Sequence, residues 1–409
     1  MTVDEFADGA PDEDEVGLIP DQGESEEDAP APVEGFTASV SGTDWTVETL
    51  VNQMRKGRID LDPSFQRRNA WLENRKSKLI ESIILGFPIP QIVLAEKAGA
   101  RGQYFVLDGK QRLLALRQFF SDSDDPRDQR FEPLKLTGLE VLTELNKSFV
   151  GDLENDRPDS FSALENATIR TVVLSNWNSE ALLLSLFLRL NTGSVALSPQ
   201  ELRQALIPGD FMQWVDYASA NSEPLQALLG IKHPDRRMVD AELLLRHVAF
   251  SISALEYRGN LKSFLDDTSR YLTQDWATTE PALMDTYDNF AAALELGERV
   301  LGAHFCRKWT GSGTGETEGR WERALNRAVF DVQAYSFSLP AVRNALNGRG
   351  NQLKEAFKLR CVENEAFVRS ISATTKTASA FLTRHRVWRS VIEETTGVTY
   401  DLPRALFRD

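Results

Sequence analysis

The stretch that constrains this chain most is Tyr104-Phe105-Val106-Leu107-Asp108-Gly109-Lys110-Gln111-Arg112-Leu113-Leu114-Ala115-Leu116. Its first four residues are a short apolar run, suited to a buried strand. Asp108-Gly109 is turn chemistry, because Asp hydrogen-bonds its own backbone and Gly accepts a positive φ. From Lys110 to Phe120 the spacing is helical, with Leu113, Leu114, Leu116 and Phe119/Phe120 on one stripe. A strand that turns sharply into a helix leaves backbone N–H groups at the turn without helical partners, and such groups bind anions. Lys110 and Arg112 sit on that first turn, where the helix dipole disfavours cations. A bound phosphate resolves the conflict, so the pattern predicts a phosphate or nucleotide site. Asp108 also has a plainer role open to it, as the N-cap of the helix.

Charge is distributed unevenly. The first 54 residues hold fifteen Asp and Glu and neither Lys nor Arg, leaving 46 acids against 46 bases in the rest. The net charge of −15 therefore belongs to the N-terminal segment and does not argue against a nucleic-acid or nucleotide partner. Residues 1–40, rich in Asp, Glu, Pro, Gly and Ala, are expected to be a disordered acidic tail, either solubilising or a mimic of nucleic acid over a basic face. Cys306 and Cys361 make neither a disulfide framework nor a metal cluster. The acidic start does not resemble a signal peptide and no apolar run has membrane-spanning length, so the expected location is cytoplasmic.

In chain order, a helix is expected from about Thr46, capped by Thr46 or Asp44, with Val47, Leu50, Val51 and Met54 inward. Ile59 to Asp62 reads as a short edge strand. Ser64-Phe65-Gln66-Arg67-Arg68-Asn69-Ala70-Trp71 packs two arginines, a glutamine and two aromatics into a short connection, which points to a site unless the arginines simply pair with surface carboxylates. Arg75 to Leu85 is an amphipathic helix, with Asn74 expected to cap it and Gly86 to end it before Pro88-Ile89-Pro90. Gln91 to Ala95 and Thr168 to Leu174 read as strands. Glu180 to Leu190 reads as a helix ended by Asn191-Thr192-Gly193, and Ser198-Pro199-Gln200-Glu201 as the capping box of the next. From there helices dominate: Phe211–Ala218 capped by Asp210, Asp240–Leu255, Leu261–Leu272, Pro281–His304, Arg320–Ala334, Asn351–Arg360 and Ser379–Glu394. Gly311-Ser312-Gly313-Thr314-Gly315 lacks the Gly-Lys-Ser/Thr of a P-loop and reads as a flexible connector.

Three blocks, Asp62–Trp71, Leu79–Pro90 and Leu107–Arg112, closely resemble the N-terminal domain of GmrSD-type modification-dependent restriction enzymes, within the ParB/sulfiredoxin-like superfamily. Phe187–Gly193 and Leu197–Arg203 resemble the family's second block, and Lys110 stands where the family signature has a second Gln. The resemblance implies an α+β fold: a small mixed ParB-like sheet with helices over residues 41–207, then a mainly α-helical domain over 208–409. It also implies nucleoside-triphosphate hydrolysis and sensing of DNA that carries a modification, within restriction or phage defence. Carried over by residue, Asp108, Gln111 and Arg112 would be catalytic, Asp108 orienting a water or a Mg²⁺-bound water. Gly109, Lys110, Gln66, Arg67 and Arg68 would hold phosphate of GTP or another nucleoside triphosphate, with Arg189 and Asn191 as a possible third wall. Arginine suits this task because its planar fork meets phosphate oxygens bidentately. Positioning and charge neutralisation are what phosphoryl transfer chiefly needs.

The remaining chemistry is narrowed by elimination. His233, His247, His304 and His385 fall into no zinc spacing, and no nucleophile elbow occurs. The His-Asn-His nuclease arrangement of many relatives is not found in the last third of the chain, so DNA cleavage would fall to a separate protein or to this chain by another route. Arg384, Arg386 and Arg389, near Phe381 and Trp388, form a basic helical stretch that is either a DNA-backbone contact or a solvated face. Two other functions stay open: a non-catalytic ParB-like DNA-binding adaptor working beside a nuclease, and a nuclease in its own right. A single central carboxylate argues against the second, although Asp62 and Glu81 lie in neighbouring blocks.

Overall fold

The computed structural model describes residues 37–59, 61, 71–97, 99–122, 125, 128, 131–178, 183, 198–207, 209–252, 255–315, 317–373 and 376–407. Contacts divide the chain into two compact units, Pro30–Leu197 and Ser198–Asp409.

The N-terminal unit runs β1 (Ser39–Thr46), α1 (Val47–Arg55), α2 (Glu73–Ile84), β2 (Ile92–Lys97), β3 (Ala100–Asp108), α3 (Lys110–Phe119), α4 (Val150–Asp156), α5 (Pro158–Asn166) and β4 (Thr168–Ser175). The sheet order is β1-β4-β2-β3, with β2 parallel to β4 and the other pairs antiparallel. This is the mixed sheet expected from the sequence. β1 was not foreseen, because Ser-Val-Ser-Gly-Thr-Asp has no apolar alternation and its first six residues are exposed. Its extended form comes from the register with β4, Ser39 opposite Ser175 through Thr46 opposite Thr168. Thr46 ends β1 and caps α1, its Oγ1 accepting from the Thr49 N–H at 3.1 Å.

Helices and sheet share one apolar core that includes Val47 and Leu50 of α1, Ile80 and Ile83 of α2, Ile92 and Leu94 of β2, Leu113 and Leu116 of α3, and Ile169 of β4. Each such side chain stabilises the unit by about 1.5–3 kcal/mol relative to exposure. α2 begins after Leu72 without a side-chain cap, and Asn74 falls inside the helix, where its Oδ1 accepts from the Arg75 N–H at 2.7 Å. Its end is the glycine stop expected. Gly86 is left-handed at φ 73° and donates to the Ile83 carbonyl at 3.0 Å, while Phe87 N–H reaches the Ser82 carbonyl at 2.9 Å. The far end of α3 is tied to α1 through Asp128, whose carboxylate accepts from Arg117 and, at 3.0 Å, from Arg55. Burial alone would raise the Asp128 carboxyl, but the bonds from Arg117, the Asp122 amide and Arg55 hold it below the usual carboxylate range.

The C-terminal unit is helical apart from one hairpin: α6 (Pro199–Leu206), α7 (Asp210–Ala220), α8 (Glu223–Leu229), α9 (Val239–Ile252), α10 (Leu261–Gln274), α11 (Trp276–Leu301), β5 (Trp309–Gly311), β6 (Gly319–Trp321), α12 (Arg327–Ser338), α13 (Pro340–Ala345), α14 (Gly350–Glu363), α15 (Glu365–Ser372) and α16 (Ala378–Thr396). The Ser198–Glu201 capping box forms as its sequence predicts. Several boundaries differ. α7 starts after Gly209, with Asp210 already helical, and α11 starts five residues before Pro281. The helix expected from Arg320 begins only at Arg327, behind the Asn326 cap, because Gly319–Trp321 pairs with Trp309–Gly311. The Gly-rich stretch is therefore a hairpin turn and not a loose connector. Trp309 Nε1 donates to the Gly313 carbonyl at 2.8 Å, and Gly315 N–H to Glu318 Oε2 at 2.9 Å.

Residues Val239 to Phe250 of α9 are buried all round. At the centre of this unit Arg246 holds Asp331 of α12 bidentately, at 2.9 and 2.7 Å. Arg384 of α16 donates to the same carboxylate at 2.9 Å, and Glu242 accepts from Arg246 at 3.4 Å and from Arg327 at 3.0 Å. No helix among the described residues is long and apolar enough to cross a membrane.

Candidate functional site

The site builds up from one glycine. β3 ends at Asp108 and α3 begins at Lys110, so Gly109 alone makes the turn, at φ 91° and ψ 14°. The positive φ calls for glycine, and a Cβ there would press on Ile92 Cγ1 at 3.0 Å and Arg112 Nη2 at 3.1 Å. The β2–β3 register slips beside it: Val93 is opposite Asp108, but Leu94 is opposite Val106. The extra residue, Leu107, makes a bulge next to the turn, a device that re-aims a neighbouring side chain.

Asp108 does not cap α3. Gly109 is the N-cap residue and no side chain caps the helix. The Asp108 carboxylate accepts instead from Arg112 Nη2 at 2.9 Å, and the same Nη2 reaches the Gln91 carbonyl at 2.9 Å. The cation that seemed to need an external phosphate thus has a counter-ion one turn back. Two polar atoms remain unsatisfied. Gln111 Oε1 and Arg112 Nε are buried and have no hydrogen-bond partner. Buried polar atoms without partners cost about 1–3 kcal/mol each; these two lie on consecutive residues of the first helical turn, and Arg117 and Gln118 further along the same helix carry such atoms as well.

The structure thus brings together Asp108, Gly109, Lys110, Gln111 and Arg112. Gln66, Arg67, Arg68, Arg189 and Asn191 lie outside the described residues. Sequence reasoning missed the Gln91 carbonyl and Ile92, which brace Arg112 and Gly109 from the neighbouring strand. A backbone acceptor carries no side-chain signal, so only the strand register could have found it.

The described donors beside the turn do not by themselves make a cage for a resident Mg²⁺. Among the described residues no group of three or more His, Cys, Asp or Glu is arranged to hold a metal ion. Asp108 is engaged by Arg112, and Glu81 is a structural acceptor for the Val141 and Leu142 amides at 2.8 and 2.7 Å.

The basic stretch of α16 needs correction. Arg384 is fully buried, bonded to Asp331 and to the Ser370 carbonyl, with its guanidinium 3.5 Å over the Phe381 ring. Burial pushes its pKa down to about 10 against the pull of Asp331, which leaves it charged at neutral pH. Phe381 and Trp388 belong to the same core. At helical spacing Arg384 shares the inward face with Trp388, so it cannot belong to a DNA contact. Arg386 is exposed and Arg389 half-buried.

Residues 47–208 match the family model described as the N-terminal domain of GmrSD restriction endonuclease. The matched stretch runs from α1 through α6 and contains all five sequence blocks that resemble that family, while β1 precedes it and the helices from α7 onward follow it. No curated protein and no solved structure matches the chain.

Proposed function

We propose that the chain is a nucleotide-binding component of a DNA restriction or phage-defence system, and that the Asp108–Arg112 turn hydrolyses a nucleoside triphosphate, GTP or a relative, in response to DNA. The GmrSD match supports the restriction setting. The observation that carries the nucleotide reading is the pair of unpartnered buried atoms, Gln111 Oε1 and Arg112 Nε, beside the Gly109 turn. In this reading the N–H groups of the first turn of α3 and the Lys110 ammonium receive phosphate oxygens, and Gly109 lets the backbone approach them. Gln111 orients the attacking water. Gln66, Arg67, Arg68, Arg189 and Asn191 close the pocket from the other blocks. Any Mg²⁺ enters with the nucleotide's phosphates, and modified DNA is the proposed trigger. DNA cleavage is left to a separate nuclease.

One observation favours a second reading, in which the turn binds a nucleotide or a DNA phosphate without hydrolysis, as an adaptor. Asp108 is already paired with Arg112 and so is not free to act as a base. The two readings separate in one assay. Phosphate release from GTP, ATP and CTP is measured with and without modified DNA, for the native chain and for Gln111→Ala and Arg112→Ala. Hydrolysis predicts release that falls at least tenfold in both variants. Binding of nucleotide or of DNA without release from any of the three selects the adaptor, and absence of binding to both nucleotide and DNA rejects both readings.

A further inference from the structure

The C-terminal unit holds a cleft of ≈1380 Å³ that no part of the proposed function uses. It lies where the end of α9, the start of α10, α16 and the Arg404–Leu406 turn meet. Arg258, Arg389 and Arg404 line it, with Phe407 as exposed aromatic surface and Asp401 as a carboxylate. These residues come from two stretches far apart in the sequence, 251–267 and 389–407.

Charge is matched unevenly there. Of the three lining carboxylates, Glu256 is bonded to Arg258 at 3.2 Å and Asp267 is paired with Arg270 at 3.1 Å. Arg389 and Arg404 make no ion pair and no side-chain hydrogen bond among the described residues. Phe407 is 45 % exposed. A free fork-shaped pair of cations, a flat apolar ring and a carboxylate acceptor in one cleft match the parts of a nucleoside phosphate: phosphate, base, and hydroxyl or amino donors.

We propose that this cleft binds a nucleoside phosphate, with the phosphate on Arg389 and Arg404, the base against Phe407, and a hydroxyl or amino group donating to Asp401. Small-molecule pockets occupy about 300–1,000 Å³. The larger volume here admits either a free nucleotide or the terminal nucleotides of a strand. The inference rests on the C-terminal unit alone and does not depend on the Asp108 turn.

The test is fluorescence anisotropy on the full chain with two probes, fluorescently labelled AMP and a labelled 5′-phosphorylated single-stranded tetranucleotide. Inorganic phosphate serves as a competitor. Arg389→Ala/Arg404→Ala is expected to weaken at least one probe tenfold or more, and Phe407→Ala to weaken it while leaving displacement by phosphate unchanged. Both effects should persist when Arg112→Ala is added, which separates this cleft from the turn. Binding of AMP identifies a free nucleotide, and binding of the tetranucleotide alone identifies a strand end. The proposal is overturned if neither probe binds, if the double variant binds as the native chain does with an unchanged melting curve, or if phosphate competes as well as unlabelled AMP. Arg389→Lys/Arg404→Lys, which keeps both charges but loses the forks, should give an intermediate affinity and guards against misreading a folding defect.

Discussion

Gly109→Ala is the perturbation that most directly tests the geometry of the turn. An alanine held at φ 91° pays about 1–2 kcal/mol for the left-handed conformation. Against this, the substitution stiffens the unfolded chain and returns about 0.4–1 kcal/mol. The new methyl also meets Ile92 Cγ1 at 3.0 Å and Arg112 Nη2 at 3.1 Å. Neither neighbour gives way easily: Ile92 is fully buried on a strand paired on both sides, and Nη2 is fixed by Asp108 and Gln91. Overpacking of this kind costs about 1–3 kcal/mol, for a net loss of roughly 2–4 kcal/mol. Gly86→Ala supplies the control, since Gly86 has φ 73° with nothing within 4 Å of an added Cβ, and it should lose only about 0.5–1 kcal/mol. Amide hydrogen exchange read by mass spectrometry follows each unit separately. Peptides from β2, β3 and α3 should lose protection by about 30- to 1,000-fold in Gly109→Ala, while α9 peptides stay unchanged. Equal losses for the two glycine variants would mean that the close contacts do not exist and that Arg112 is not held where the site requires.

Acid should loosen the C-terminal unit through its histidines. Burial pushes both His247 and His385 down to about 3, with Arg384 adding to the effect on His385. A depressed folded pKa means that this stability is fully present above the unfolded value of about 6.5 and drains away as pH falls toward 3. At about 1.4 kcal/mol per pH unit and group, the two together should cost the unit about 4 kcal/mol at pH 5; urea melts that coincide at pH 7 and pH 5 would contradict this, and His385→Phe should halve the slope. Asp331→Ala should cost about 3–5 kcal/mol by leaving Arg246 and Arg384 buried without their shared carboxylate, a loss visible in the denaturant midpoint. Asp331 itself, held below the usual carboxylate range by Arg246 and Arg384 against the opposing effect of burial, should extend the acid loss below about pH 4, as a further steepening of the same melts.

Much of the N-terminal unit could be read from periodicity and turn residues because its elements are locally consistent. Thr46, Gly86 and Gly109 each mark a boundary by a mechanism that acts within a few residues, as Ser198 does at the start of the C-terminal unit. What escaped is non-local. β1 is a strand only because β4 lies beside it, and Arg384 reads as a surface cation until α9 and α12 bury it against Asp331. Arg258, Arg389 and Arg404 share a cleft by tertiary placement alone. The same limit explains the hairpin at Trp309–Trp321, whose strands of three residues are too short for any period to show.

The pairing of Asp108 with Arg112 also changes how an anion must enter the turn. Two cations at a helix N-terminus first argued for phosphate as their missing partner, but Asp108 already serves one of them. A phosphate that seeks Arg112 therefore exchanges with a carboxylate and does not fill a vacancy. With Asp108 and Arg112 partly exposed, that exchange costs little, on the order of the ~0–1 kcal/mol typical of exposed pairs plus whatever their partial burial adds. Its consequence is chemical. Once phosphate takes the guanidinium, the Asp108 carboxylate loses its partner beside the bound nucleotide, where a carboxylate free to accept a proton from water is what hydrolysis lacks in the unliganded turn. Binding and activation would then be one event, and Asp108→Asn separates them: an amide still frees Arg112 for phosphate, so nucleotide affinity should hold within a few-fold while phosphate release is lost. An Asp108→Asn chain that hydrolyses at the native rate would show that the pair is only a brace between β3 and α3.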